Sequence, residues 1–468
     1  MPFTLAARAP ATAAPTTHRA GTTGLWLVML AQLMLVLDGT VVNVALPHIA
    51  RDLGFAPADL SWVLNGYALA FGGVLLLGGR VGDVLGRRRT FLVGVAAFTA
   101  FSLLGGLATT PLLLVAARAL QGLGAAFAAP NVLALITTTA KDDGARNRAL
   151  ALFSAIASMG GALGLILGGI LTDAATWRWT LFINVPIGVA ILLAVPRFVD
   201  ETPRRTGRFD VLGAVTATGG AVAIVWGLLQ AADFGWHDAR TIGGLVAGVV
   251  LLAVLGVTEL RVAHPLLQPR LLRSASRISA LAAMAATFGG MLAMFFLTVQ
   301  YLEDVLHLSP LVTGLAFLPM PLSIFVMSRV IPGLVARFGA ERLVLGGALL
   351  RVVGFLPLTQ LRSDTPFAVV VAALLFTGIS AGMTFMPLTA LALRDVEPEH
   401  AGSASGLFQT MQQLGGAVGL AIVASTYAAF AVPGDFLVGG RAGFLSAAVL
   451  SAIALAAAVG LAVRPRRS

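Results

Sequence analysis

The chain has 468 residues, 58% of them apolar and only 11% charged, with a mean hydropathy of +0.91. Soluble domains carry roughly 25% charged residues, so a water-soluble globular fold is excluded, and the net charge of +10 must be read from where the charges fall. The lack of cysteine excludes disulfides and thiolate chemistry.

A bilayer-spanning helix needs roughly 20 apolar residues. Fourteen such stretches are predicted, near 24–46, 59–79, 90–108, 112–136, 149–171, 180–197, 211–231, 241–260, 279–299, 311–333, 343–361, 367–392, 404–428 and 442–463. They leave room only for short loops. The predicted fold class is an all-α polytopic membrane protein with 14 transmembrane helices.

Residues 1–23 carry Arg8 and Arg19 but no apolar core with a cleavage site, so they are expected to form a cytoplasmic tail and not a signal peptide. Span 1 then holds Asp38, an acid in hydrocarbon and a functional candidate for that reason. Asn43 follows on the same span. Span 2 leads into a turn with Gly79, Asp83, Gly86, Arg87 and Arg88. Span 4 contains Arg118 and Gln121. Counting from the predicted ends, Asp38 and Arg118 both sit roughly 9–12 Å below the outer face and could meet. A carboxyl in an apolar site favours its protonated form, and a guanidinium beside it favours the charged form. Asp38 thus reads as a proton site, as a static partner of Arg118, as a group bonded to Thr40 and Asn43, or as a counter-ion for a cationic substrate.

Span 5 repeats glycine every four residues at Gly160, Gly164 and Gly168, with Gly169 adjacent, a pattern for close helix packing or a hinge between halves. Trp177-Arg178-Trp179 reads as an interfacial aromatic anchor. Met291, Met294, Phe295 and Phe296 on span 9 read as an adaptable apolar wall or as lipid-facing and core packing residues. Arg351 lies in span 11 with no evident acid partner. Gln409, Gln412 and Gln413 on span 13 share one helix face and are candidates to line a substrate cavity or to pack between helices. No second acid is read deep in the later spans, which favours a neutral or weakly charged substrate.

With the N-terminus in the cytoplasm, 23 Arg and Lys fall in cytoplasmic segments, five in external loops and three within spans. That asymmetry is the positive-inside pattern. It places both termini in the cytoplasm of a multi-pass cell-membrane protein and explains the basic charge without nucleic acid. The six histidines have no metal-ligand spacing, and no nucleophile triad or phosphate-cradling loop is found. No enzyme activity, metal or cofactor is expected. Energy must come from an ion gradient or the substrate's own gradient.

Span 5 and span 13 share Leu-Phe followed by Gly-Gly-Ala-x-Gly-Leu: Leu152-Phe153 with Gly160 to Leu165, and Leu407-Phe408 with Gly415 to Leu420. A fainter echo sets Gly86 against Gly339. Such repeats build transporters with a substrate site near the midplane between halves.

Leu37-Asp38-x-Thr40-Val41-Val42-Asn43-Val44-Ala45-Leu46-Pro47, Gly79-x-Val81-Gly82-Asp83-x-x-Gly86-Arg87-Arg88, Arg118-x-x-Gln121-Gly122-x-Gly124, Gly160-x-x-x-Gly164 and Phe182-Ile183-Asn184-Val185-Pro186-Ile187-Gly188 occur in order on successive spans. Together they resemble the 14-span drug:proton antiporter branch of the major facilitator superfamily. Two positions depart from the pattern: Leu165 stands where a proline is usual, and Val84 where a basic residue is common. The resemblance implies a major-facilitator fold: six-helix halves at 24–198 and 277–463, two inserted helices with flanking loops at 199–276, and cytoplasmic tails at 1–23 and 464–468. It also implies a latch in which Asp83 faces the N-terminal end of span 13.

The expected function is export of drug-like or antibiotic small molecules by proton antiport and alternating access. The alternatives are a dedicated exporter of one endogenous metabolite and a facilitator without proton coupling. Expected partners are a small-molecule substrate, protons and the lipid bilayer, with the chain acting as a monomer.

Overall fold

The computed structural model describes residues 22–56, 59–139, 143–202, 211–259, 274–394, 396, 401–432 and 435–462. In hydrocarbon each backbone polar group must be satisfied within its own segment, so long apolar runs fold as helices. In chain order these are α1 (Thr22–Leu53), α2 (Trp62–Leu85), α3 (Arg87–Gly106), α4 (Pro111–Thr139), α5 (Asp143–Ala174), α6 (Trp179–Phe182), α7 (Asn184–Phe198), α8 (Val211–Phe234) and α9 (Ala239–Glu259). There follow α10 (Ala275–Gln300), α11 (Pro310–Ala316), α12 (Pro319–Phe338), α13 (Ala340–Phe355), α14 (Phe367–Ala392), α15 (Ala401–Ala429) and α16 (Phe436–Ala462). Among the described residues there is no strand, only a lone bridge between Val432 and Asp435.

Eleven helical runs are long and apolar enough to cross a bilayer, and α2, bent by 50°, makes a twelfth. The predicted count of fourteen is not reached among the described residues. Helices α5 (32 residues) and α8 (24 residues) reach the length of a span, and the apolar runs found within them are Leu163–Ala174 and Val215–Ala231.

Prolines explain the interruptions. Pro319 has no N–H to give, and α11 passes to α12 through tight turns from Leu318 N to Leu315 O and from Met320 N to Phe317 O, both 3.1 Å. Pro186 similarly follows the break between α6 and α7. The bend of α2 lies between the pairs Gly72-Gly73 and Gly78-Gly79. Gly86 (φ 106°) and Gly339 (φ 85°) each turn one helix directly into the next, α2 into α3 and α12 into α13. Only glycine reaches these backbone angles without strain, so the faint echo between them in the sequence marks two equivalent turns.

Helices α1 to α7 pack largely among themselves, as do α10 to α16, while α8 and α9 pair together with α8 against α2 and α15. The loop from α1 to α2 defines one end of the bundle, here the first-loop end. The turn from α2 to α3 lies at the other, terminal end. Named contacts between the two groups run from mid-bundle to the first-loop end. Thr410 Oγ1 donates to Gly72 O at 3.2 Å, and Gly169 and Gly314 lie where α5 crosses α11. Outward faces are apolar: Val246, Val249 and Val257 on α9 and Leu445, Val449 and Ile453 on α16 are exposed. A surface of this kind fits lipid.

Candidate functional site

Side chains from α1, α3, α4 and α7 form one buried hydrogen-bonded cluster, flanked by α2. Asp38 from α1 is fully buried and Arg118 from α4 is 1% exposed. Their ion pair is 2.7 Å, from Arg118 Nη1 to Asp38 Oδ2. Asp38 Oδ1 accepts from Gln121 Nε2 at 2.7 Å and from Asn184 Nδ2 at 2.9 Å. Ser102 Oγ on α3 receives the same two amides, at 2.6 and 3.3 Å. Arg118 also donates to Gln121 Oε1 at 2.6 Å and to Val63 O at 3.2 Å, and stacks on the Tyr67 ring at 4.5 Å. The carboxylate is charge-paired and takes three hydrogen bonds, as a buried ion requires. Chemically, such a cluster can hold or release a proton only if its donors move.

The depth expected for Asp38 needs correction. Helix α1 does not stop near residue 46. It continues through Pro47 to Leu53, because proline's fixed φ is helical and only one backbone bond is lost. Asp38 therefore lies at the middle of α1, about 22 Å from its last residue.

The other predicted residues divide. Gln121 belongs to the Asp38 cluster. Asn43 is buried, but its amide bonds back to Gly39 O (3.1 Å) and Thr40 O (3.2 Å) of its own helix. Gln409 is exposed, whereas Gln412 and Gln413 are half-buried and Gln413 packs on Gly72. Gly160, Gly164 and Gly168 face Val36, Thr40 and Val41 of α1, while Gly169 faces Pro310 and Leu311. Leu165, in the place of the usual proline, is buried with its carbonyl against Gly314.

At the terminal end Asp83 of α2 accepts from Arg87 of α3 at 2.8 and 3.1 Å, across the Gly86 turn. Gly79 lies against Pro130 at ordinary contact distance, and Gly86 forms the turn. Arg88 and Arg89 donate their backbone N–H groups to Glu201, at 2.9 and 3.1 Å, and Arg88 Nη1 donates to Val199 O at 3.0 Å. A carboxylate is favoured at a helix N-terminus, so Glu201 caps α3. Residues 397–400, just before α15, lie outside the described residues, as do the tails 1–21 and 463–468.

Three readings change with the structure. Trp177 is buried and donates to Asp52 at 2.8 Å, and only Trp179 of that turn is exposed. Span 9 does not end near 299: a π turn, Tyr301–Val305, extends α10 and buries Glu303. A buried acid therefore lies at the first-loop end of α10, just beyond the predicted end of span 9. Arg351 is 1% exposed and reaches Ser380 Oγ at 3.1 Å and the Thr287 carbonyl, with Nη2 unsatisfied. No ion pair to it is recorded among the described residues. An unpaired buried cation is costly, so Arg351→Met is expected to leave the melting temperature unchanged or raise it. A large drop would assign Arg351 an essential structural role.

Sequence reasoning missed Ser102, Asn184 and Glu303. Asn184 was visible as a polar residue within an apolar run. A lone serine such as Ser102 gives no comparable signal.

Residues 28–420 match the Major Facilitator Superfamily. A puromycin resistance protein of Streptomyces alboniger is 40% identical over 407 residues, 86% of this chain and 80% of that protein. A cephamycin export protein of Amycolatopsis lactamdurans is 40% identical over 409 residues, 86% of this chain and 84% of that protein. Among solved structures, an auto-inhibited POT family peptide transporter aligns with a TM-score of 0.69 at 15% identity, covering 95% of this chain and 97% of that one, a likeness of fold alone. The buried ion cluster thus sits in a transporter scaffold, and the chain belongs to the Major Facilitator Superfamily.

Proposed function

We propose that the chain exports drug-like or antibiotic small molecules across the cytoplasmic membrane by proton antiport, alternating between inward-facing and outward-facing forms as a monomer. The observation that carries this reading is the Asp38–Arg118 pair, buried among helices of one bundle in a chain related to antibiotic exporters. The terminal end faces the cytoplasm, by the distribution of arginines.

In the cycle, Arg118 holds Asp38 charged while the cluster is closed. Outward opening draws Arg118 off Asp38, while Val63 O and the Tyr67 ring continue to hold the guanidinium. Asp38, losing its cation in a low-dielectric site, takes a proton. Inward return restores the ion pair and expels the proton to the cytoplasm. Gln412 and Gln413 face substrate near the seam, the glycines of α5 let α1 slide closely, and Asp83 exchanges Arg87 for the N-terminal end of α15 when the terminal end closes.

The test is efflux in a host lacking its own pumps, across a broad panel of compounds. Wild type should confer resistance that collapses with an uncoupler; resistance indifferent to the uncoupler would indicate a facilitator. A second reading, export of one endogenous metabolite, is favoured by two relatives each named for a single antibiotic. Resistance to a single compound class would select it.

A further inference from the structure

The π turn after α10 places a carboxylate where the proposed cycle has not used one. Glu303 is 6% exposed and its side chain only 2%. From α1, His48 Nδ1 lies 3.3 Å and Arg51 Nη2 3.8 Å from Glu303 Oε2. Neither carboxylate oxygen has a hydrogen-bond partner. Burying an acid with its oxygens unsatisfied is costly unless a cation faces it, and here Arg51, with the imidazole of His48 beside it, comes from the other bundle. His48 is about one-third exposed and Arg51 mostly exposed, with side-chain values of 34% and 63%. Water therefore reaches these two side chains at the first-loop end, while the acid lies behind them.

The backbone is shaped for this placement. Leu306 N donates to Tyr301 O at 3.1 Å and Leu308 N to Leu302 O at 3.0 Å, so the turn carries extra residues relative to an α-helix. Such turns recur at functional sites. His307 follows with φ 51°, uncommon for a residue with a side chain. Three residues on, α11 begins and packs on α5, with Pro310 against Gly169 and Gly314 against Leu165. One short connector therefore carries both the carboxylate and a packed seam between the bundles.

We propose that Glu303 is a second proton-binding carboxylate of this chain, and that its charged form, held against His48 and Arg51, keeps the first-loop end closed. This rests on the reading of the chain as an alternating-access transporter. Protonation removes the negative charge that faces Arg51 and His48, so the attraction across the seam is lost and the end opens. Acidification on that side therefore favours opening. The remaining charged and titratable neighbours are Asp304 in the same turn, His307 beyond it, and Tyr427 of α15 on the Asp304 side. Helix α11 brings no titratable residue, and Arg441 of α16 donates to Leu361 O.

The chain contains no native cysteine, so paired spin labels can be placed cleanly at Thr109→Cys and Ser363→Cys, both exposed near the first-loop end of their bundles. Distances are measured by pulsed electron paramagnetic resonance on the full chain in nanodiscs, from about pH 8 to about pH 5. Wild type should shift its main population to a longer distance as pH falls. Glu303→Gln should show the longer distance throughout, with no pH response. If that variant is not monodisperse, His48→Gln combined with Arg51→Gln should open the same end from the other side. A Glu303→Gln protein that keeps the wild-type pH response, or a wild type with none, overturns the proposal. Uncoupler-insensitive efflux with an intact Glu303 response would defeat only the proton-antiport reading, and proton-driven efflux with no Glu303 response would defeat only this one.

Discussion

Asp38→Asn is expected to abolish uncoupler-sensitive efflux, reducing resistance to that of the empty host at matched membrane abundance. Asparagine fills the same space but cannot exchange a proton at physiological pH. It also leaves Arg118 as a buried cation with no carboxylate, retaining only Gln121 Oε1, Val63 O and the Tyr67 ring. Removing one partner of a buried pair costs about 3–5 kcal/mol, so the single variant should also melt earlier. Loss of transport alone would not separate coupling from folding. The double variant Asp38→Asn with Arg118→Gln removes both charges and should recover much of the lost thermal stability while efflux stays absent. Recovered efflux in the double variant would make the pair a structural one.

The second large effect is predicted where α5 crosses α1. A Cβ at Gly168 would lie 2.4 Å from Val41 O, at Gly164 2.0 Å from Thr40 Oγ1, and at Gly160 2.8 Å from Val36 Cγ1. These obstacles differ in kind. Thr40 and Val36 can rotate a side chain, but the Val41 carbonyl is helix backbone. Gly168→Ala should therefore be the most damaging of the three alanine substitutions and Gly160→Ala the mildest. Overpacking of this sort costs about 1–3 kcal/mol, and the three variants are ranked by melting temperature in detergent. Because Val41 lies one helical turn from Asp38, Gly168→Ala should depress efflux beyond its effect on abundance. Equal melting temperatures for all three would mean that the two helices separate readily and that the crossing contributes little.

How much of this was legible beforehand differs by residue. Asp38 and Arg118 stood out because charge in an apolar run is conspicuous at any sequence distance. Their joint partner Asn184 lay within a quoted motif, yet it is 146 positions from Asp38, and periodicity describes neighbours on one helix, not those across four. Glu303 was passed over because it lies beyond the predicted end of span 9, and only the π turn and the facing side chains of α1 show it to be buried. The glycine spacing of α5 announced close packing, but not that Gly160, Gly164 and Gly168 face α1 while Gly169 faces α11.

The sequence by itself determined the solvent, the helical class and the broad order of the elements. In a bilayer, backbone groups cannot bond to water, so long apolar runs must be helices. Tertiary structure alone decided how far α1 and α10 extend, where proline splits a span into two helices, and which polar groups meet. Those outcomes depend on packing between segments far apart in the chain. A buried polar atom's energy is set by the partner it finds, and no local pattern of residues states which partner that will be.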